Sequence, residues 1–302
     1  MSRIDIAIGI VKDKQGQILI SQRAKNVHQG GLWEFPGGKC EQHETIATAL
    51  IRELKEELDI EVLKAEPLII VNFDYPDCSV CLHVYTILDF LGIAKGREGQ
   101  LIKWITIESL SEYTFPEANK PILSAISLGS DYAIVDSLNA EQLAIDLDRL
   151  IKKNISLVQV RMKNLPLIEL DKVLQIVDDS SELRVLFNSD MQINRLNQGL
   201  HLTSRSLMAL TERPKNKLVA ASCHNKIELE KAEQLGLDFV VLSPINKTPS
   251  HPDTENMGWK AFKQYISTVN LPVFALGGMV LADKNIAISY GGQGIAGISC
   301  FK

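Results

Sequence analysis

Eight short apolar runs, at residues 132–135, 157–161, 185–188, 200–203, 218–222, 239–243, 273–277 and 295–299, follow one another through the second part of the chain. Each has the length of one buried strand, and most neighbours are separated by helically patterned stretches such as 140–151, 168–177 and 227–235. Alternating strands and helices demand crossover connections and parallel pairing. Eight such units close on themselves, so the pattern predicts a (β/α)8, TIM-barrel-like domain. The chain stops three residues after the eighth run, so the closing helix is expected to be absent. An apolar wall left bare in this way calls for cover from the rest of the chain or from a second copy in a homodimer.

The first part has another rhythm. Ile4, Ile6, Ile8 and Ile10 alternate with other residues, a polar turn occupies 13–16, and 18–21 is apolar again, which predicts a hairpin. A Gly- and Pro-bearing stretch at 30–38 leads into a helical pattern over 45–58, where Ala47, Leu50, Ile51, Leu54 and Leu58 mark the buried face. Strands are expected at 68–73, 80–88 and 102–107, and a last helix at 119–128. The reading is therefore an α/β chain of two domains, 1–128 and 131–302, with a short linker between, which suits a length of 302 residues.

Charge separates the two parts. Residues 1–128 hold 13 Lys and Arg against 18 Asp and Glu, while the remainder holds 19 of each. A surface this acidic repels a polyanion unless a divalent cation lies between. No basic stripe with interleaved aromatics is present, so direct nucleic-acid binding is not expected. No apolar run approaches the roughly 18 residues of a membrane span, and no signal peptide is read. Five cysteines scattered over the length (Cys40, Cys78, Cys81, Cys223, Cys300) form no disulfide framework, which points to a reducing compartment, the cytoplasm. Cys78 and Cys81 have no second pair and face opposite ways in a strand, so they are read as packing residues, and His28, His43 and His83 receive no role.

The densest chemistry lies in GKCEQHETIATALIRELKEELDI, residues 38–60. On a helix Glu56 and Glu57 flank Glu53, so three carboxylates share roughly a third of the circumference, away from Leu50, Ile51, Leu54 and Leu58. Oxygen-only ligation of this kind suits Mg²⁺, with Mn²⁺ as a substitute. Taken alone the stretch is an ordinary solvated amphipathic helix. Gly38, Glu44 and Arg52 at their spacings remove that reading. Together with Glu53, Leu54, Glu56, Glu57 and Ile60 they resemble the Nudix box, with Asp59 standing where the box has glycine.

The likeness extends over nearly all of residues 3–127 to the MutT branch of the Nudix family, through IAIGIV, QRA, LWEFPGGK, REGQ and FPEANKP. It implies a Nudix α/β/α sandwich with a mixed sheet, and hydrolysis of oxidised guanine nucleoside triphosphates such as 8-oxo-dGTP to the monophosphate and pyrophosphate. By the same likeness Glu53, Glu56, Glu57, Glu98 and the Gly37 region would bind metal or poise water, with Arg52 orienting them. Arg23, Gly37, Gly38 and Lys39 would meet phosphate, Phe35 would line the base pocket, and Asn119 would read the purine edge. A hydrolase for another nucleoside diphosphate derivative is the competing reading.

The second part resembles thiamine-phosphate synthase and the tautomerase TenI, through LVQVRMKN, the His201-Leu202 pair, ASCH, SPINKTPSHP and PVFALGGM. This implies an anion site from Gln159, Arg161, Lys163, Asn188, His224, Thr248, Gly277 and Gly278. These positions fall at the carboxyl ends of the expected strands, where barrel enzymes build their sites. Ser189 and Ser206 stand where the synthase has metal-binding aspartates, and a hydroxyl cannot replace a carboxylate without losing charge. A metal-free tautomerase using His224 as acid and base, and a non-catalytic barrel that holds a phosphate-bearing ligand or forms dimers, are therefore set beside the synthase.

Overall fold

The computed structural model describes residues 3–24, 29–163, 165–193, 195, 198–247 and 256–302. The chain divides into two compact units, Met1–Ser127 and Leu128–Lys302. No helix among the described residues is long and apolar enough to cross a membrane.

The first unit runs β1 (Arg3–Val11), β2 (Ile18–Gln22), β3 (Trp33–Glu34), β4 (Gly37–Lys39), α1 (Ile46–Leu58), β5 (Glu61–Asp74), β6 (Ser79–Leu91), β7 (Ile102–Ile105) and α2 (Lys120–Leu128). Two sheets form, β4-β1-β6-β5 and β3-β2-β7, and the first is mixed because β1 lies parallel to β6 and antiparallel to β4. The predicted β1–β2 hairpin is replaced by this arrangement. Only a Lys12–Ile18 bridge joins those strands, while β2 pairs with β7 and β3. Alternation explains the layers. Ile8, Ile10, Ile18 and Ile20 pack with Ile122 and Ala125 of α2, and Ala7, Val11 and Leu19 pack with Leu50, Leu54 and Leu58 of α1. Opposite faces of the strands are thus covered by different helices, an α/β/α arrangement.

Helix α1 corrects one expectation. Ala47 and Ile51 are exposed, and the buried positions are Ala49, Leu50, Leu54 and Leu58. At about 100° per residue Glu57 stands about 60° from Leu54, inside the buried arc and not opposite it. Glu53, about 40° from Ala49, falls within the same arc, its side chain 16% exposed against 56% for Glu56, so of the three carboxylates Glu56 is the one turned to solvent.

The second unit contains β8 (Asp131–Val135), α3 (Ala140–Lys152), β9 (Leu157–Val160), α4 (Leu167–Asp179), β10 (Arg184–Asn188), β11 (Gly199–Leu202), α5 (Ser204–Ala209), β12 (Val219–Cys223), α6 (Lys226–Gln234), β13 (Phe239–Leu242), α7 (Gly258–Ile266), β14 (Val273–Ala275), α8 (Asp283–Ser289) and β15 (Gly294–Gly297). All eight strands pair in parallel and close a barrel in which β15 joins β8. Among the described residues a single turn, Ser189–Met191, follows β10, and another, Ser299–Phe301, follows β15 and buries Phe301. Alternate side chains fill the inside of the barrel. Tyr132, Leu157, Leu186, Ala220, Phe239 and Phe274 make its apolar filling, with Tyr132 edge-on to Phe239 at 5.0 Å, while Ala133, Val158, Val185 and Phe187 face outward to the helix layer.

Candidate functional site

In the first unit Thr45 caps α1, its hydroxyl accepting the Thr48 N–H at 3.2 Å. Asp59 ends the helix in the left-handed conformation (φ 59°), as the glycine position of the box requires. The last carbonyls of α1 are tied to the loop that follows β6. Lys95 N–H donates to Leu58 O at 2.9 Å, and Glu57 O accepts from Arg97 N–H at 2.9 Å and from Gln100 Nε2 at 3.1 Å. Helix ends leave such carbonyls without partners, so this loop is fixed where it brings Glu98 beside Glu57.

Arg52 is the hub of the carboxylates. Its Nε and Nη2 donate to Glu44 at 3.0 and 2.9 Å, its Nη1 to Glu53 at 2.8 Å and Glu56 at 3.1 Å, and its Nη2 also to the Lys39 carbonyl at 3.1 Å. These acceptors, Glu44 foremost, hold the guanidinium firmly protonated. Glu57 takes the N–H of Gly37 at 3.0 Å. Burial pushes its carboxyl up to about 8, the Gly37 hydrogen bond opposes this, and the charges of Glu34, Glu98 and Glu53 add to it.

The glycine pair is a steric necessity. Gly37 has φ 144°, and a Cβ there would stand 2.1 Å from the Ala7 carbonyl oxygen, while a Cβ on Gly38 would stand 2.3 Å from Glu53 Cδ. Both glycines let β4 press against β1 on one side and the Glu53 carboxylate on the other.

A cavity of about 840 Å³ opens beside this cluster, lined by Arg23, Phe35, Gly37, Gly38, Lys39, Glu57, Glu98 and Asn119 among others. Eight of the predicted residues thus surround one space, whereas Arg52, Glu53 and Glu56 stand outside its lining. Asn119 is buried at the end of the turn Glu117–Asn119, leading into α2. The Phe35 ring is buried and stacks on Phe115 at 5.2 Å between centroids, which makes it part of the cavity floor. Glu34 escaped the sequence reading. It also lines the cavity and pairs with Arg23, and burial raises its carboxyl while Arg23 lowers it. Its signal was a lone carboxylate inside the apolar and glycine-rich stretch 30–38.

In the barrel a polar layer replaces the apolar filling toward the carboxyl ends of the strands. Gln159 and Asn188 are buried there, as is His201, whose Nδ1 meets Tyr132 Oη at 2.9 Å and whose Nε2 meets Ser222 Oγ at 2.9 Å. Burial, and next the charge of Arg161, push the His201 imidazole down to about 3, so it is neutral. The Tyr132–His201–Ser222 chain went unread because its members are far apart in sequence. Arg161 pairs with Asp136 at 3.0 Å, and Lys163 is exposed. Gly277 (φ 102°) and Gly278 (φ 65°) turn tightly over the segment after β13, where Cβ atoms would stand 2.9 Å from Pro244 Cα and 2.6 Å from the Lys247 carbonyl oxygen. His224 is exposed, with Nδ1 2.9 Å from the Ser243 carbonyl. A carbonyl only accepts, so Nδ1 carries the proton and Nε2 the free lone pair. Thr248 lies outside the described residues. Ser189 and Ser206, from separate segments, meet each other. Their hydroxyls are 3.0 Å apart, Thr203 N–H donates to Ser189 Oγ at 3.1 Å, and Thr203 Oγ1 lies 2.9 Å from Ser206 Oγ.

Comparison with known proteins divides the chain in the same manner. A family profile described as "NUDIX domain" matches residues 7–125, and one described as "Thiamine monophosphate synthase" matches residues 132–301. The first part is 32% identical over 126 residues to the 8-oxo-dGTP diphosphatase of Escherichia coli (strain K12), covering 42% of this chain and 98% of that protein. It is also 35% identical over 125 residues to the CTP pyrophosphohydrolase of the same organism, covering 41% of this chain and 92% of that protein. The second part is 34% identical over 178 residues to a protein of Aquifex aeolicus (strain VF5) named "Putative thiamine-phosphate synthase 2", covering 56% of this chain and 96% of that protein. The chain belongs to the Nudix family through its first unit and to the thiamine monophosphate synthase family through its second, a hydrolase sandwich joined to an eight-stranded barrel.

Proposed function

We propose that the first unit is a Mg²⁺-dependent pyrophosphohydrolase that converts 8-oxo-dGTP to 8-oxo-dGMP and pyrophosphate. It would remove oxidised guanine from the cytoplasmic nucleotide pool before DNA replication, and so act in DNA repair without touching DNA. The observation that carries this reading is the half-buried Glu57 carboxyl, hydrogen-bonded to Gly37 and crowded by Glu34, Glu53 and Glu98 at the wall of a cavity that also holds Arg23 and Asn119. Acids packed this closely fit a hard cation bound through oxygen, and Mg²⁺ suits the set better than a softer metal. Glu53, Glu56, Glu57 and Glu98 are the residues that would hold it.

Magnesium bound there supplies positive charge that offsets the triphosphate and favours ionisation of water. The chain's own groups do the rest. Arg52 keeps Glu53 and Glu56 in place, Arg23 and the Gly37–Lys39 strand receive phosphate oxygens, and Asn119 offers an amide able to pair in two directions with a purine edge. Water attacks phosphorus, the new P–O bond forms as the α–β anhydride bond breaks, pyrophosphate departs, and the water proton passes to Glu53 or Glu98.

The test is a nucleotide panel with Mg²⁺, in which 8-oxo-dGTP is expected to exceed dGTP and CTP in kcat/KM by at least about tenfold. Equal efficiencies for 8-oxo-dGTP and dGTP would remove the substrate assignment, and preference for CTP would favour the reading suggested by the second relative.

For the barrel, the hydroxyl pair Ser189–Ser206 favours a site for a phosphate-bearing ligand that needs no metal. Gln159, Lys163, Asn188 and the Gly277–Gly278 turn would contact the ligand, and His224 Nε2 is free to move a proton if the barrel is a tautomerase. Turnover of thiazole phosphates by the full chain separates the catalytic form of this reading from simple binding.

A further inference from the structure

Three neighbouring strands of the first unit carry a group of side chains that the phosphate site does not use. The parallel register of β1 and β6 sets Asp5 beside Cys81, and His83, two residues on, shares its face. The antiparallel register of β1 and β4 continues past Ile6 and Lys39 to Asp5 and Cys40, where Cys40 N–H donates to the Asp5 carbonyl at 2.9 Å. Directly opposed residues point the same way, so Cys40, Asp5, Cys81 and His83 stand together on the face that α1 covers further along. The ligand atoms of Asp5, Cys81 and His83 lie within 4.8 Å of one another, and Asp5 Oδ1 is already 2.8 Å from His83 Nε2. Burial first, and the Asp5 charge next, hold the Cys40 thiol above its ordinary value, which puts Cys40 within electrostatic reach of the same carboxylate.

We propose that Asp5, Cys40, Cys81 and His83 form a second metal site in the first unit, one that takes zinc. Two sulfurs, one imidazole and one carboxylate make a four-membered set of the kind zinc accepts, whereas magnesium prefers oxygen alone. Zinc bonds of about 2.0 to 2.3 Å place tetrahedral ligands roughly 3.3 to 3.8 Å apart, so side-chain movements of about 1 Å bring Asp5, Cys81 and His83 to that spacing, and Cys40, on the same face but outside that close group, joins by turning its side chain. Binding releases a proton from each thiol and replaces the Asp5–His83 hydrogen bond. Arg3, the neighbouring cation at Cys81, gives up its contact with that thiol when the metal binds. The bound metal cross-links β1, β4 and β6. The sequence hid this site because its members come from three segments and the Cys78–Cys81 spacing drew attention to the wrong partner.

Cobalt titration of the full chain, stripped of metal with a chelator, tests it. Cobalt bound to thiolate gives a near-ultraviolet charge-transfer band that the oxygen-only cluster around Glu53 cannot give. The expected result is that band at one equivalent, abolished by zinc and untouched by excess magnesium. Asp5→Asn and His83→Gln should each weaken binding by more than about tenfold, since losing even an outer partner of a metal ligand costs about 10- to 100-fold. Cys40→Ser should halve the band, and Cys223→Ser in the barrel should leave it unchanged. Cys81 is buried, and its replacement risks the fold, so the Asp5 and His83 variants carry the test. Cobalt bound without the band, or a band that persists in the Asp5→Asn/His83→Gln double variant, overturns the proposal.

Discussion

The α1 cluster and the mouth of the barrel, both proposed above to take an anionic ligand, have opposite electrostatics. In the first unit Arg52 gathers Glu44, Glu53 and Glu56, while Glu57 beside them takes the Gly37 N–H and is so poorly solvated that its carboxyl rises to about 8. In the second, the residues that meet at the strand ends are hydroxyls, Ser189 and Ser206, satisfied by each other and by Thr203. Crowded buried acids are costly unless a cation joins them, whereas a closed hydroxyl network needs nothing further. The first arrangement fits an added cation, as proposed above, and the serine pair of the second adds no charge for one to neutralise.

The largest effect that would sharpen this contrast is Glu53→Gln. Removing the carboxylate while keeping its shape should lower nucleotide turnover by about 100- to 10,000-fold, with the thermal midpoint of the first unit nearly unchanged. Steady-state kinetics beside calorimetry check both halves. Activity near the wild-type level would end the assignment of Glu53, and running Glu98→Gln in parallel shows which carboxylate takes the proton.

A smaller effect tests the barrel side. Binding of a thiazole phosphate to the full chain should have the same affinity with and without Mg²⁺. The double variant Ser189→Asp/Ser206→Asp should instead gain a magnesium-dependent rise in the stability of the barrel of about 1 to 3 kcal/mol at saturating ion, as mass action requires. Isothermal titration of the wild type is decisive. Affinity that climbs with magnesium there would abolish the contrast between the two units.

Much of this was legible before any coordinates. The eight apolar runs coincide with β8 to β15, because a fully buried parallel strand must be apolar on both faces and is short. Thr45 and Asp59 also read correctly as helix start and helix end, whereas Gly37 and Gly38, expected as a tight loop, lie in strand β4 against the carboxylate helix. Pairing was harder. The alternation in β1 and β2 told which faces are buried and not which strand is the neighbour, so a hairpin was expected where β1 pairs with β4 and β6. Contacts between distant segments were invisible, as with Arg23–Glu34, Tyr132–His201–Ser222 and the Asp5–His83 pair. The helix-face estimate failed at Ile51 and Glu57 because a sheet and a following loop, and not hydrophobicity alone, decide which arc of α1 is covered.

His201 supplies an effect of moderate size that belongs only to the barrel. Its folded imidazole stays neutral down to about 3, while in the unfolded chain it takes up a proton near 6.5. The unfolded state therefore binds more protons between those values, and stability is lost as pH falls below 6.5, by up to about 1.4 kcal/mol per pH unit. Urea unfolding at pH 7 and pH 5 should show a steeper loss in the barrel transition of the wild type than in His201→Gln, where nothing titrates at that position. Equal slopes would mean that the imidazole is solvated and that the Tyr132–His201–Ser222 chain does not persist in solution.

The smallest expected effect concerns Asp59, where the first unit departs from the box. A non-glycine residue at φ 59° carries a backbone cost of about 1 kcal/mol relative to glycine. Asp59 returns part of it through Lys55, whose Nζ lies 2.9 Å from Oδ1, and through Arg97 at 3.7 Å. Exposed pairs of this kind contribute a few tenths of a kcal/mol each. Glycine also enlarges the freedom of the unfolded chain, which offsets some of the relief. Asp59→Gly should therefore stabilise the first unit by no more than about 0.5 kcal/mol in low salt and by slightly more in high salt, where screening weakens what the aspartate gains. A urea midpoint that falls in high salt would show that the aspartate is held there by more than its two cations.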